Sequence, residues 1–179
     1  MAHPDQQLWC NKIKEEHPSY FINKRVLDIG ALDVNGNNRY LFDNCKYVGL
    51  DVVPGPNIDV VSIAHLYMPS ALFDVVLSTN ALEHDLYWRQ TLDAMLTFLK
   101  PGGFLFFSVA AFHNEHGTKR TSPSSSGTSR MGAEWENYYR NLHEVDIYEN
   151  LDLSQFSKCS ISTFNKDLRF WGIKKADCV

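Results

Sequence analysis

The sequence has little of what marks several large protein classes. Its four cysteines, Cys10, Cys45, Cys159 and Cys178, are scattered, with no CxxC pair and no metal-ligand spacing. A disulfide framework or zinc module is therefore not expected, and a reduced intracellular protein is. The longest apolar run, near 102–112, is too short to span a bilayer and suits a buried strand. The N-terminus is polar and lacks the apolar core of a secretory signal. We expect a cytoplasmic protein that does not enter a membrane. A basic surplus is also missing. The net charge of −4 argues against nucleic-acid binding over the whole surface, while leaving room for a local basic patch. No internal repeat occurs. What is present is 179 residues of ordinary globular composition, enough for one domain, 1–179, with a real core.

The stretch 25–39, RVLDIGALDVNGNNR, organises the rest. Val26, Leu27 and Ile29 suit a strand covered on both faces. Gly30 permits a tight turn and a close backbone approach to a ligand. Asn35 and Gly36 are turn residues, and amides beyond them can face a polar ligand. A buried strand with an ordinary turn reads equally well from these residues alone. YVGLD (47–51) is a second short strand ending in an acid. Asp51 stands about 20 residues beyond Gly30, where an acid can accept from both ribose hydroxyls. FDVVLS (73–78) is a third, followed by TNALEH (79–84). LKPGG (99–103) leads into FLFFSV (104–109).

In that order and spacing, VLDIG, YVGLD, FDVVLSTNALEH and LKPGGFLFFSV resemble the class I S-adenosylmethionine-dependent methyltransferases, closely over 25–110 and more loosely beyond. The resemblance implies a Rossmann-like α/β fold. Its sheet would be seven-stranded and mostly parallel, with an antiparallel C-terminal strand and helices on both faces. It also implies S-adenosylmethionine as cofactor, released as S-adenosylhomocysteine. The family's Gly-x-Gly-x-Gly loop is altered, since Leu32 and Val34 stand where later glycines would be. Asp33, Asn35, Gly36 and Asn37 form a longer, differently shaped version. That departure also disfavours a dinucleotide site, whose glycines serve a pyrophosphate. The cofactor contacts implied are Asp28, Gly30, Asp33, Asn35, Gly36, Asp51 and Val52. They continue with Ile63 and Ala64, whose backbone would hold adenine because no acid occurs in 62–66, and with Thr79, Asn80 and Ala81 after the third strand. His65 is read as a surface residue.

Elsewhere, 5–20 is a candidate helix with Leu8, Trp9 and Ile13 on one side and Pro18 at its end. VPGPN (53–57) excludes a crossover helix, so IDVV (58–61) should be a short strand at a trimmed sheet edge. Residues 84–99 form an amphipathic helix, with Trp88, Leu92, Met95, Leu96 and Leu99 inward. The segment 111–134 is rich in Ser, Thr and Gly and carries Lys119, Arg120 and Arg130. A loop this long is expected to be a lid over the acceptor, apart from the cofactor pocket. Trp135, Tyr138, Tyr139 and Leu142 have the spacing of one packed helical face. Residues 144–151 suit a short helix. Strands 159–164 and 168–173 close the chain as a hairpin.

The function read from this is methyl transfer to an oxygen of a small hydrophilic acceptor, a saccharide or another hydroxylated metabolite. His113 and His116, just past the 104–109 strand, are candidate bases, with His84 and Asp85 in reserve. No metal site is expected. Two other classes stay open: a non-catalytic module that keeps the fold, and an NAD-type enzyme, which binding of NAD in place of S-adenosylhomocysteine would reveal.

Overall fold

The computed structural model describes residues 3–177; Cys178 lies outside them. Seven strands form one sheet in the order β3-β2-β1-β4-β5-β7-β6. They are β1 (Arg25–Ile29), β2 (Lys46–Asp51), β3 (Val60–Val61), β4 (Phe73–Thr79), β5 (Leu99–Ala110), β6 (Phe156–Phe164) and β7 (Asp167–Lys174). Neighbours among β3, β2, β1, β4 and β5 pair in parallel. β7 runs antiparallel to both β5 and β6. This is the expected sheet, including its reversed last strand.

Alternation along the central strands divides the core between two faces, as a period of two requires. Val26, Val75, Leu77, Phe104 and Phe106 point to one face, with Trp9, Cys10 and Ile13 of α1 (Pro4–Glu16). Leu27, Val76, Leu105 and Phe107 point to the other, with Leu92 and Met95 of α2 (Trp88–Phe98) and Ile147 of α3 (Glu144–Asn150). Phe104, Leu105, Phe106 and Phe107 are all fully buried, which is why the motif is apolar at successive positions.

Two helical expectations need correction. α1 ends at Glu16, before Pro18, and its inner face is Gln6, Trp9, Cys10 and Ile13. Leu8 is outside, 66% exposed: the spacing 6, 9, 10, 13 follows one helical stripe, and position 8 lies off it. Residues 135–142 do not form a helix. A turn at 133–137 is followed by irregular chain. The amides a helix would spend on its own carbonyls are spent across the fold. Arg140 N–H donates to the Glu83 carbonyl and Leu142 N–H to that of Ala110, both at 2.9 Å.

The β2–β3 edge of the sheet carries little helix. A 3-10 turn at Arg39–Leu41 replaces a helix between β1 and β2, and β3 is only two residues long. This is the trimmed edge that Pro54 and Pro56 foretold. Among the described residues no helix is long and apolar enough to cross a membrane.

Candidate functional site

Polar residues gather where the parallel strands end. β1 leads outward to β2 while β4 lies on its other side, so the chain changes direction between them and opens a crevice at their carboxyl ends. Gly30 turns there with φ +75°, and a Cβ on it would lie 2.2 Å from that of Ala81. Only glycine lets the loop after β1 meet the loop after β4. Asp51 ends β2, 8% exposed. Its carboxylate accepts from the amides of Leu32 at 3.2 Å and Val53 at 3.3 Å. Burial raises its pKa, against those amides.

A cavity of about 660 Å3, open to solvent, lies between these loops. Of the expected cofactor residues, Gly30, Asp51, Val52, Ile63, Ala64, Asn80 and Ala81 line it. Asp28, Gly36 and Thr79 instead border a small cleft behind Gly30. Asp28 accepts from Tyr47 and Asn38, and burial pushes its pKa up to about 6 against those donors. Asp33 and Asn35 border a third cleft on the outer side. The Asp33 carboxylate is taken by its own turn, accepting from Gly36 N–H and Asn37 Nδ2, both at 2.7 Å. Leu32 and Val34, which replace glycines, supply apolar wall to the cavity.

The segment 111–134 is not separate from this cavity, contrary to expectation. Ser125, Ser126, Gly127 and Thr128 form part of its wall, with Trp135 beside them. A Cβ on Gly127 would lie 2.9 Å from Asp51 Oδ1 and 2.5 Å from Val53 Cγ2. Most of the segment's positive charge is also taken up by ion pairs. Lys119 pairs with Glu136 and Arg120 with Glu115, leaving the exposed Arg130, whose charge acts on Asp51. Sequence reasoning missed this wall because it depends on how far the loop folds back. The Gly127 in a Ser-rich run was its one local signal.

The three candidate histidines occupy different settings. His84 lines the cavity and is 4% exposed. Burial, then the charge of His116, lowers its pKa to about 3, so it is a neutral ring at any ordinary pH. His116 is half-buried and meets His84 edge-on, with centroids 5.2 Å apart. Tyr139 packs on both, at 5.4 and 5.0 Å. Its expected place in a packed helical face is thus corrected to one beside the site. His113 lies outside the cavity wall, with Nε2 3.0 Å from Asp167 Oδ1. The same carboxylate oxygen accepts from Asn80 Nδ2 at 3.1 Å, and His3 Nε2 lies 2.9 Å from its other oxygen. Burial alone would raise the Asp167 pKa, but His3, Asn80 and His113 together lower it. Asp85, the other reserve, is engaged by Thr91 and the Tyr87 amide. His65 is half-buried and packs against the Tyr87 ring, centroids 4.9 Å apart.

A family model described as "Methyltransferase domain" matches residues 1–143. The chain belongs to this family. It is a class I methyltransferase dependent on S-adenosylmethionine. No curated protein matches the sequence. Solved structures share the fold at low identity. The methyltransferase is similar to the Burkholderia thailandensis 1,6-didemethyltoxoflavin-N1-methyltransferase, solved with 1,6-didemethyltoxoflavin and S-adenosylhomocysteine. That match has a TM-score of 0.63 and 18% identity, covering 95% of this chain and 78% of the other. The N-methyltransferase NodS from Bradyrhizobium japonicum WM9 matches with a TM-score of 0.60 and 16% identity, covering 97% and 98%. An S-adenosylmethionine-dependent methyltransferase from Clostridium acetobutylicum gives 0.63 and 13%, covering 96% and 92%.

The cavity fits such a cofactor on its own evidence. It offers one buried carboxylate at a strand end, apolar wall from Leu32, Val34 and Ile63, and a glycine cradle that a side chain would fill.

Proposed function

We propose that this methyltransferase methylates an oxygen of a small hydrophilic acceptor, a saccharide or another hydroxylated metabolite, with His113 as the base. Asp51 would accept the ribose hydroxyls and the backbone at Ile63 and Ala64 would meet adenine. Gly30, Asn80 and Ala81 would border the methionine end. When bound, S-adenosylmethionine supplies an electrophilic methyl carbon, so much of the enzyme's task is positioning. Segment 125–128 and Trp135 form part of the cavity wall, where they would limit the access of water to the bound substrates.

The observation that carries the reading is the pairing of His113 with buried Asp167. With Nε2–H donated to that carboxylate, Nδ1 keeps its lone pair to take a hydroxyl proton. Asp167 stabilises the imidazolium that results and is itself fixed by Asn80, a residue of the cavity wall. His84 does not suit this role, because burial holds its pKa near 3. His116 is turned toward His84 and Tyr139.

A screen of hydroxylated acceptors with isotopically methyl-labelled cofactor, read by NMR of the product, tests the reaction. An O-methyl product is expected, and an N- or C-methyl product would overturn it. With the acceptor in hand, His113→Gln should lower kcat by about 10²–10⁴ while S-adenosylhomocysteine affinity is kept. A full rate in that variant would remove His113 from the mechanism.

A further inference from the structure

Glu83 and His84 follow β4, while His116 comes from the segment after β5. The fold brings one potential ligand atom from each within 4.8 Å of the others. Glu83 is fully buried, and among the described residues neither carboxylate oxygen has the geometry of a hydrogen bond, although the Glu83 and Ala110 amides act on it. A carboxylate in that position is costly unless a cation or donor meets it. His84 is also buried, and among the described residues its Nδ1 has no hydrogen-bond partner. His116 Nδ1 lies 3.0 Å from the Asn114 carbonyl. Donating there leaves the Nε2 lone pair free and fixes the ring, which is the outer arrangement that metal-bound histidines commonly have. Gly117, at φ +65°, makes the approach possible: a Cβ on it would lie 2.5 Å from Cε1 of His84.

We infer that Glu83, His84 and His116 bind one divalent transition-metal cation of the Zn2+ type beside the cavity that His84 lines. Two neutral imidazoles and one carboxylate suit Zn2+, Co2+ or Fe2+. Mg2+ and Ca2+ prefer all-oxygen sites. The same donor set holds catalytic zinc with a fourth position open. Bonds near 2.1 Å would place ligand atoms about 3.4 Å apart in a tetrahedral site. His116, the half-buried member, closes that distance by swinging inward. The cation would meet the buried Glu83 carboxylate and neutralise its charge. Its open position would take water or an acceptor hydroxyl, whose acidity a bound cation increases. Cation binding does not depend on which atom is methylated, so this inference and the O-methylation reading can fail separately.

The test uses the full chain, stripped with a chelator and then titrated with Zn2+ by calorimetry and with Co2+ by visible absorption. One equivalent is expected, at micromolar affinity or better, with the intense bands of a four- or five-coordinate cobalt centre. Glu83→Gln and His116→Gln should each weaken Zn2+ binding by at least about 100-fold, more than the loss typical of outer-shell changes. His143→Gln, away from the cluster, should not. Circular dichroism checks folding; should Glu83→Gln misfold, the exposed-side variant His116→Gln and the cobalt spectrum decide. Zn2+ binding weaker than about 100 μM in the wild type overturns the site. So does wild-type affinity in either folded variant, or a weak octahedral cobalt spectrum.

Discussion

The middle of the sheet and its carboxyl edge differ in what they bury. The middle buries hydrocarbon. Val26, Leu27, Val75, Val76 and Phe104 to Phe107 are fully enclosed, with apolar neighbours above and below. The edge buries Asp28, Asp51, Asn80, Glu83, His84 and Asp167, each less than 9% exposed. Apolar burial stabilises a fold by its area alone. Enclosing carboxylates and a neutral histidine adds little stability and often subtracts from it. The edge is built for binding and chemistry at some expense to the fold, and the middle supplies the stability that tolerates it. Variants of the two regions should therefore separate, one lowering the melting temperature and the other lowering ligand affinity.

The largest stability effect should come from the middle. Phe106 is fully buried and touches α1 through Trp9, ring centroids 6.0 Å apart. Phe106→Ala should cost about 3–5 kcal/mol of unfolding free energy, from lost transfer energy plus the cavity left behind. Denaturant unfolding measures it. A loss below about 1 kcal/mol would mean that the two faces do not depend on the middle as argued.

Asp51→Ala belongs to the edge and should reverse the pattern. Losing a charged acceptor for the ribose hydroxyls should weaken S-adenosylhomocysteine binding by roughly 1.5–3 kcal/mol. Unfolding free energy should change far less than in Phe106→Ala, because the Leu32 and Val53 amides border an open cavity where water can replace the carboxylate. Calorimetry showing unchanged affinity in the folded variant would remove Asp51 from the cofactor site.

What was legible in the sequence follows the same division. The strands of the middle are short apolar runs bounded by Gly, Pro and Asp, and LKPGGFLFFSV has one physical reading as a covered strand. The seven-stranded, mostly parallel sheet with its reversed last strand came with the family resemblance. That positions next to a strand end, such as Gly30, Asp51 and Ala81, would border a crevice was legible for the same reason. Long-range folding hid the rest. Tyr139 has helical spacing with Trp135 and Leu142, yet Arg140 and Leu142 donate to carbonyls at Glu83 and Ala110, so the tyrosine reaches His84 instead. Asp33 looked like a ligand residue because it is acidic and follows the glycine turn, but its oxygens close that turn. Asp167 drew no attention, since it opens a terminal hairpin strand. Only the antiparallel return of β7 beside β5, pairing Asp167 with Ala110, puts it under His113.

The smallest effect offers the sharpest test of what the edge costs. Asp28 is enclosed behind Gly30, and burial raises its pKa from 3.8 to about 6, against the Tyr47 and Asn38 donors. A folded pKa above the unfolded one means that the native state holds the proton more tightly. The stabilisation is fully present below about pH 4 and is lost as pH rises through about 6. Above pH 7 the protein encloses a charge that it would be more stable without. Asn cannot ionise, and its side-chain carbonyl can still accept from Tyr47. Asp28→Asn should therefore gain on the wild type as pH rises from 4.5 to 8, by about 1–2 kcal/mol, less than the full shift would give. Melting temperatures of both proteins across that range measure it. Other titrating groups act on both alike and cancel in the difference. A difference that stays flat or falls with pH would show that the donors around Asp28 hold its charge without cost, and the contrast between middle and edge would not extend to this residue.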